Sequence, residues 1–420
     1  MSDRFLSRQL VNLGLVANAT RPLPGAPTSF PAFFAGWLSS ELAPHALALT
    51  GADVAAHVAL HGVSGRRTQL GLAAAGVSAA GYASLIAAGF RARHEVEAAL
   101  SEGLGPDYAD GLSRAMVHAD LATPWRQLVN PFAMKHPAVK VHRRLPYAPG
   151  GMRFEADVYH RRDVPAGAPV LLQVHGGGWV IGRKEQQGVP LMTRMASLGW
   201  VCVAVNYPLS PKARWPGHLV ALKRAIGWIR TNIAEYGGDS SFLAVTGGSA
   251  GGHLSAMLAL TGNDPALQPG FESVDTSVQA CVPHYGVYDF TAEDGTRASR
   301  LRVDNLVRPL VMARDAKYPD DYRAASPLYQ VSPQAPPFFV IHGSNDSLVP
   351  VSEARSFVSA LREVSKSPVA YAEMRGAQHA FDIFPSIRSA HVVRGVERFL
   401  DWTYTATSRA EGPESALPPA

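Results

Sequence analysis

Cysteine is nearly absent from this chain of 420 residues: only Cys202 and Cys281 occur, each inside an apolar run of strand type. A thiol in such a run packs as a small hydrophobic group, so no disulfide framework is expected. Charge is also sparse, at 17% Asp, Glu, Lys and Arg, and the net formal charge of +5 is scattered. No block of Lys and Arg interleaved with aromatics is present, which argues against nucleic acid as a partner. Metal ligands do not cluster. His57 and His61 are four apart, but His-Val-Ala-Leu-His lacks the glutamate of a zincin helix and no third ligand is near. Neither a metal nor a phosphate-cradling loop is expected, because the Gly-rich stretch 247–252 is followed by His253-Leu254 and not by Lys and Ser/Thr.

Two features interrupt an otherwise globular composition near the N-terminus. Arg4 and Arg8 precede an apolar stretch and Ala17-Asn18-Ala19, the outline of a signal peptide. Asn12 and Gly14 break the apolar part, so cleavage is not expected. Residues 70–90 then run without a charge between Arg66-Arg67 and Arg91-Arg93, long enough to cross a bilayer but rich in Ala, Gly and Ser. Pro44 divides residues 30–61 into two expected helices. Two readings of this helical region stay open: a hairpin packed on a catalytic domain or a dimer partner, and association with a membrane or cell-envelope surface. The location, cytoplasmic or envelope-associated, and the oligomeric state are left open with it.

The composition changes after Pro124, Pro131 and Pro137, giving an expected division into residues 1–137 (helical), 138–404 (catalytic) and a tail 405–420 too poor in apolar residues to order itself. Residues 140–147 and 153–159 flank Pro149-Gly150-Gly151 and read as a hairpin. Apolar strands then alternate with helices: strands at 170–174, 200–205, 242–245, 278–283, 338–341 and 369–374, with helices at 189–198, 219–233, 253–260, 352–364 and 386–402. Strands apolar on both faces, separated by helices, imply an α/β protein with a mostly parallel sheet covered on both sides. The rhythm lapses over residues 290–337, and an insertion of that length in a compact domain is usually functional.

Four loops carry the chemistry. Gly247-Gly248-Ser249-Ala250-Gly251 fits the G-x-S-x-G elbow, in which small neighbours let a nucleophilic serine sit on a sharp strand-to-helix turn. His175-Gly176-Gly177-Gly178-Trp179 follows the strand 170–174. Its glycines free backbone amides to converge on an oxyanion, so Gly176 and Gly177 with the amide of Ala250 form the expected oxyanion hole. A serine needs a base, and His379 stands in the loop after the last strand. Asp346, after the strand 338–341, is the expected acid, with Asp382 and Asp289 as fallbacks. Trp179 and the insertion are the expected pocket walls.

These motifs, with Ser347-Leu348-Val349-Pro350 after the aspartate, resemble the hormone-sensitive lipase group of α/β-hydrolase esterases over about residues 147–384. The whole chain, with its hydrophobic N-terminal extension, is most similar to the long actinobacterial, mycobacterial-type carboxylesterases. The resemblance implies an eight-stranded α/β-hydrolase sheet, serine esterase activity on carboxylic esters and no cofactor. A small-molecule ester or lipid of short to medium acyl chain is the expected substrate. Amide hydrolysis of formamidase type and acyl transfer would use the same triad, and a non-catalytic binding protein would not be expected to keep both Ser249 and His379. Two departures stand out. Gly248 occupies the position before the nucleophile where the group usually has Asp, and Tyr207-Pro208-Leu209-Ser210-Pro211-Lys212 replaces its Tyr-Arg-Leu-x-Pro-Glu pattern.

Overall fold

A computed structural model describes residues 2–22, 26–117, 121–163 and 167–410. Eight strands form one sheet: β1 (Val139–Pro146), β2 (Glu155–Arg161), β3 (Ala168–Val174), β4 (Val201–Val205), β5 (Gly238–Gly248), β6 (Ala280–His284), β7 (Phe338–Gly343) and β8 (Val369–Met374). Their spatial order is β1-β2-β4-β3-β5-β6-β7-β8. The first two pairings are antiparallel and every later one is parallel. This is the α/β-hydrolase sheet, and the alternation of apolar strands with helices foreshadows it.

The central strands are buried along their whole length because both faces are covered. On one side Val170, Leu172, Val203, Leu243 and Val245 pack against Leu219, Leu222, Ile226 and Ile229 of a helix over residues 217–232. On the other, Leu171, Cys202, Ala244, Val282 and Phe339 pack against Met192, Met195, Val392, Val396 and Phe399. Both cysteines are free and buried, and burial pushes their thiols up, as expected of core residues.

The N-terminal region consists of α1 (Ser2–Thr20), α2 (Ala26–Glu41), α3 (Ala43–His61) and α4 (Arg66–Leu104). The break between α2 and α3 falls where Pro44 predicts it, since proline suits the first turn of a helix and not its interior. The charge-free stretch 70–90 lies inside α4, where Gly71, Ala74, Ala75, Ser78, Tyr82, Leu85 and Ala88 are buried. Gly71 faces Phe5 and Gly81 faces Val16 of α1, so small residues let the two helices approach closely. Further along, α4 enters the catalytic unit: Ala92, Val96, Ala99 and Leu100 share a core with Phe339, Ile341 and Ala370.

The insertion 290–337 holds a helix at Arg297–Arg302 that continues as a π-helix at Val303–Val311. The last helix runs from Ile387 to Ala410, six residues into the expected tail. Thr403 is buried in its final turns, so packing continues past the apolar pattern. The remainder of the tail lies outside the described residues.

Candidate active site

Ser249 sits where β5 ends and the helix Ala250–Leu260 begins, at φ 60° and ψ −122°. That backbone is costly for a residue with a Cβ and persists only where the surroundings enforce it. The enforcement is visible in the glycines of the G-x-S-x-G pattern. A Cβ on Gly247 would stand 2.5 Å from the Val174 carbonyl oxygen, and one on Gly251 would stand 2.2 Å from that same atom. The Ser249 amide donates to the His284 carbonyl at 3.0 Å, which ties the elbow to the end of β6.

His379 and Asp346 come together as the sequence predicts. The His379 Nδ1 lies 2.6 Å from Asp346 Oδ2, and both side chains are buried. The other carboxylate oxygen accepts the amides of Leu348 and Val349, each at 2.8 Å. His342 Nε2 is 3.3 Å from Oδ2. Burial alone would push the Asp346 carboxyl up, but the charge of His379 and the hydrogen bonds from both histidines outweigh it. The group is held well below the usual carboxylate range. Gln378 joins the two loops, because its Oε1 accepts the Ser347 amide at 2.8 Å and the His379 amide at 2.9 Å.

The Gly-rich loop after β3 lies against the nucleophile, and a Cβ on Gly176 would be 3.1 Å from the Ser249 Cβ. In one respect the loop differs from expectation. The Gly176 amide donates to Gln187 Oε1 at 2.6 Å and is therefore already committed. Gly177, at φ 117°, turns the chain at the next residue. Tyr207 braces the loop through a 3.0 Å hydrogen bond to the His175 carbonyl. Trp179 is 1% exposed, with its indole N–H 3.3 Å from His253 Nδ1 and its ring edge-on to Phe290. It supports the loop from within, and Leu306 of the π-helix reaches the space above Gly178.

The fallback acids have other partners. Asp289 accepts Thr291 and Glu293 amides, as a turn residue does. Asp382 lies 2.7 Å from His284 Nδ1 and accepts the Tyr285 hydroxyl. The sequence reading missed three contributors: Gln187, Tyr285 and Phe33. Tyr285 packs at 4.7 Å from the His379 ring, and Phe33 of α2 meets that ring edge-on at 5.9 Å. A histidine flanked by aromatics has no local sequence signal when both aromatics come from distant elements. Among the described residues no group of His, Cys, Asp and Glu is arranged to hold a metal ion.

Comparison with known proteins identifies the family. The BD-FAE family model matches residues 156–361. The probable carboxylic ester hydrolase LipM of Mycobacterium tuberculosis is 46% identical over 360 residues, covering 82% of this chain and 81% of LipM. The esterase LipQ of the same organism is 44% identical over 341 residues, covering 79% of this chain and 80% of LipQ. Among solved structures, esterase B from Lactobacillus rhamnosis aligns with a TM-score of 0.54 at 17% identity, over 76% of this chain and 99% of that one, which speaks to the fold alone. The chain is a carboxylic ester hydrolase and belongs to the hormone-sensitive-lipase-like α/β-hydrolase family, alongside the mycobacterial esterases LipM and LipQ.

Proposed function

We propose that ester hydrolysis proceeds through Ser249 as nucleophile, His379 as general base and acid, and Asp346 as the residue that orients the imidazole. The observation that carries this is the buried 2.6 Å His379–Asp346 pair, which follows the C-terminal ends of β7 and β8 as Ser249, held in elbow geometry, follows that of β5. Ser249 attacks the ester carbonyl as His379 takes its proton, and Asp346 stabilises the resulting imidazolium. The oxyanion is received by the amides of Gly177 and Ala250, with Gly176 held aside by Gln187. His379 then protonates the leaving alcohol and activates a water that releases the acid. A chain-length series of p-nitrophenyl esters tests the expected preference for short to medium acyl chains. Ser249→Ala is expected to lose turnover of p-nitrophenyl esters while keeping its circular dichroism spectrum, and retained turnover removes the assignment. Matched ester and anilide substrates, and addition of an alcohol acceptor, separate this from amide hydrolysis and acyl transfer.

We also infer that the enzyme works at a lipid surface. While Phe33 and Trp37 of α2 face the site, its exposed side carries Phe30, Pro31, Phe34 and Leu38 and no charge. The apolar rim continues through rings in contact, from Trp37 to Phe384 and on to exposed Phe132. Within residues 22–65 the only charged side chains are Glu41 and Asp53, paired with Arg388 and Arg8. Exposed Phe side chains on a helix whose inner face reaches His379 suit the headgroup boundary of a neutral bilayer. Phosphatidylcholine vesicles should co-float the protein, and Phe30→Ser with Phe34→Ser should abolish this. No flotation, or a dimer that the same changes dissociate, overturns the inference.

A further inference from the structure

Behind the elbow lies a second set of titratable side chains that the mechanism does not use, His284 and Tyr285 buried and Asp382 partly so. Asp382 is three residues beyond His379 in the same loop. One of its oxygens accepts the Tyr285 hydroxyl and the other lies 2.7 Å from His284 Nδ1. These two partners are consecutive residues at the end of β6, the strand whose last carbonyl holds the Ser249 amide. Tyr285 is 3% exposed and takes φ 36°, a conformation a bulky residue adopts only when its surroundings impose it. Its amide is fixed by the Ile341 carbonyl at 2.7 Å.

The Tyr285 ring touches both the elbow and the base. A Cβ on Gly248 would stand 2.7 Å from both Cε2 and Oη of Tyr285, so the ring lies directly against the elbow backbone. It also packs against His379, with centroids 4.7 Å apart, and against Phe381 at 5.5 Å. The circuit is closed. From Ser249 it runs through the His284 carbonyl into β6, then through Tyr285 and Asp382 into the loop that carries His379. Gly248 is what makes room for it, and the Tyr285 hydroxyl that a Cβ at position 248 would meet is bonded to the Asp382 carboxylate.

We propose that Tyr285, tied to Asp382 and His284, is a positioning residue that sets the separation between Ser249 and His379. This rests on the reading of those two residues as nucleophile and base. The wedge is rigid because both ends of the ring are constrained: the edge by Gly248 and His379, the hydroxyl by a carboxylate. Burial, and then the charge of Asp382, push the Tyr285 phenol well above its ordinary range, so it remains a hydrogen-bond donor throughout the working pH.

The test compares Tyr285→Phe, Asp382→Ala and the double variant with the parent enzyme, using p-nitrophenyl butyrate and a p-nitrophenyl phosphonate that labels Ser249. Concentrations are normalised by active-site titration. Each single change should lower kcat and the phosphonylation rate together, by roughly tenfold, with KM within about twofold, since misplacement costs rate and not binding. The double variant should be no slower than the worse single one, because both changes open the same link. Tyr285→Leu, which removes the wedge itself, should fall by about 100-fold. Unchanged rates in both single variants, a loss confined to KM, or additive losses each overturn the proposal. If Tyr285→Phe fails to fold, Asp382→Ala removes the acceptor, leaves the ring in place and decides alone. Turnover retained by Ser249→Ala would instead defeat the nucleophile assignment, and that outcome is read independently of these variants.

Discussion

Gly248→Ala adds one methyl group at the most constrained point of the elbow, and its effect can be worked from distances. The new Cβ would lie 2.7 Å from Tyr285 Cε2 and Oη, whereas ordinary contact begins at 3.4 Å. The ring must therefore retreat by roughly 0.7 Å, in a core where small-to-large changes typically cost about 1–3 kcal/mol. Gly248 has no positive φ, so the backbone itself tolerates alanine and the cost is steric. Retreat moves the ring toward His379, whose centroid is 4.7 Å away, and loosens the hydroxyl bond to Asp382. Displacement of the base by a fraction of an ångström to an ångström should lower kcat by about 10- to 100-fold. Melting temperature and kcat on p-nitrophenyl butyrate, measured on the same preparation, check both parts. An alanine variant with the parental kcat and melting temperature refutes the claim that Tyr285 is wedged against the elbow. The aspartate usual in the family should be at least as disruptive here, since its Cβ meets the same atoms.

Two further outcomes follow from buried ionisable groups. Burial lowers His175, His218 and His391 to about 4 and His253 to about 3. Their unfolded counterparts bind protons near the ordinary value of about 6.5, so stability should be full above that pH and fall as the pH drops toward 4. Urea midpoints at pH 7.5, 6 and 5 should decline steadily, and a flat series would contradict the burial of these rings as neutral groups. Glu41 and Arg388 form a 3.2 Å pair that is almost fully buried, with the Ser386 hydroxyl donating to Glu41 at 2.6 Å. Glu41→Ala leaves a buried guanidinium without its carboxylate and should cost about 3–5 kcal/mol in chemical denaturation. A loss below 1 kcal/mol would mean that solvent reaches Arg388.

The parts of this protein that were legible in the sequence are those whose cause is local. The apolar runs of β3 to β7 fix the sheet because each must be buried on both faces, and Gly247 and Gly251 mark the elbow because neither tolerates a Cβ. Asp346 and His379 were legible through their position after successive strands. The supporting residues were not. Gln187 reaches Gly176 across 11 residues, Asp382 reaches Tyr285 across 97, and Phe33 reaches His379 from another layer of the fold. The same limit applies to oxyanion donors, since a Gly triplet permits several amides to converge but does not say which is already bonded. In α4, an Ala-rich pattern served equally for an apolar span and for a helix packed by small residues. The difference lies in partners such as Phe5 and Val16, far away in sequence.

That helix also bears on how the molecule could be divided or inherited. At 39 residues, α4 is a single rod about 58 Å long that begins beside α1 and ends against β8. A Cβ on Gly103 would stand 2.5 Å from the Ala370 Cα, and Glu95 accepts the Arg375 amide in the loop that leads to His379. One end belongs to the outer helices and the other to the floor of the catalytic unit. The N-terminal region is therefore not an interchangeable attachment. Grafting a different extension onto this hydrolase would require redesigning the face of β8 that Gly103 meets.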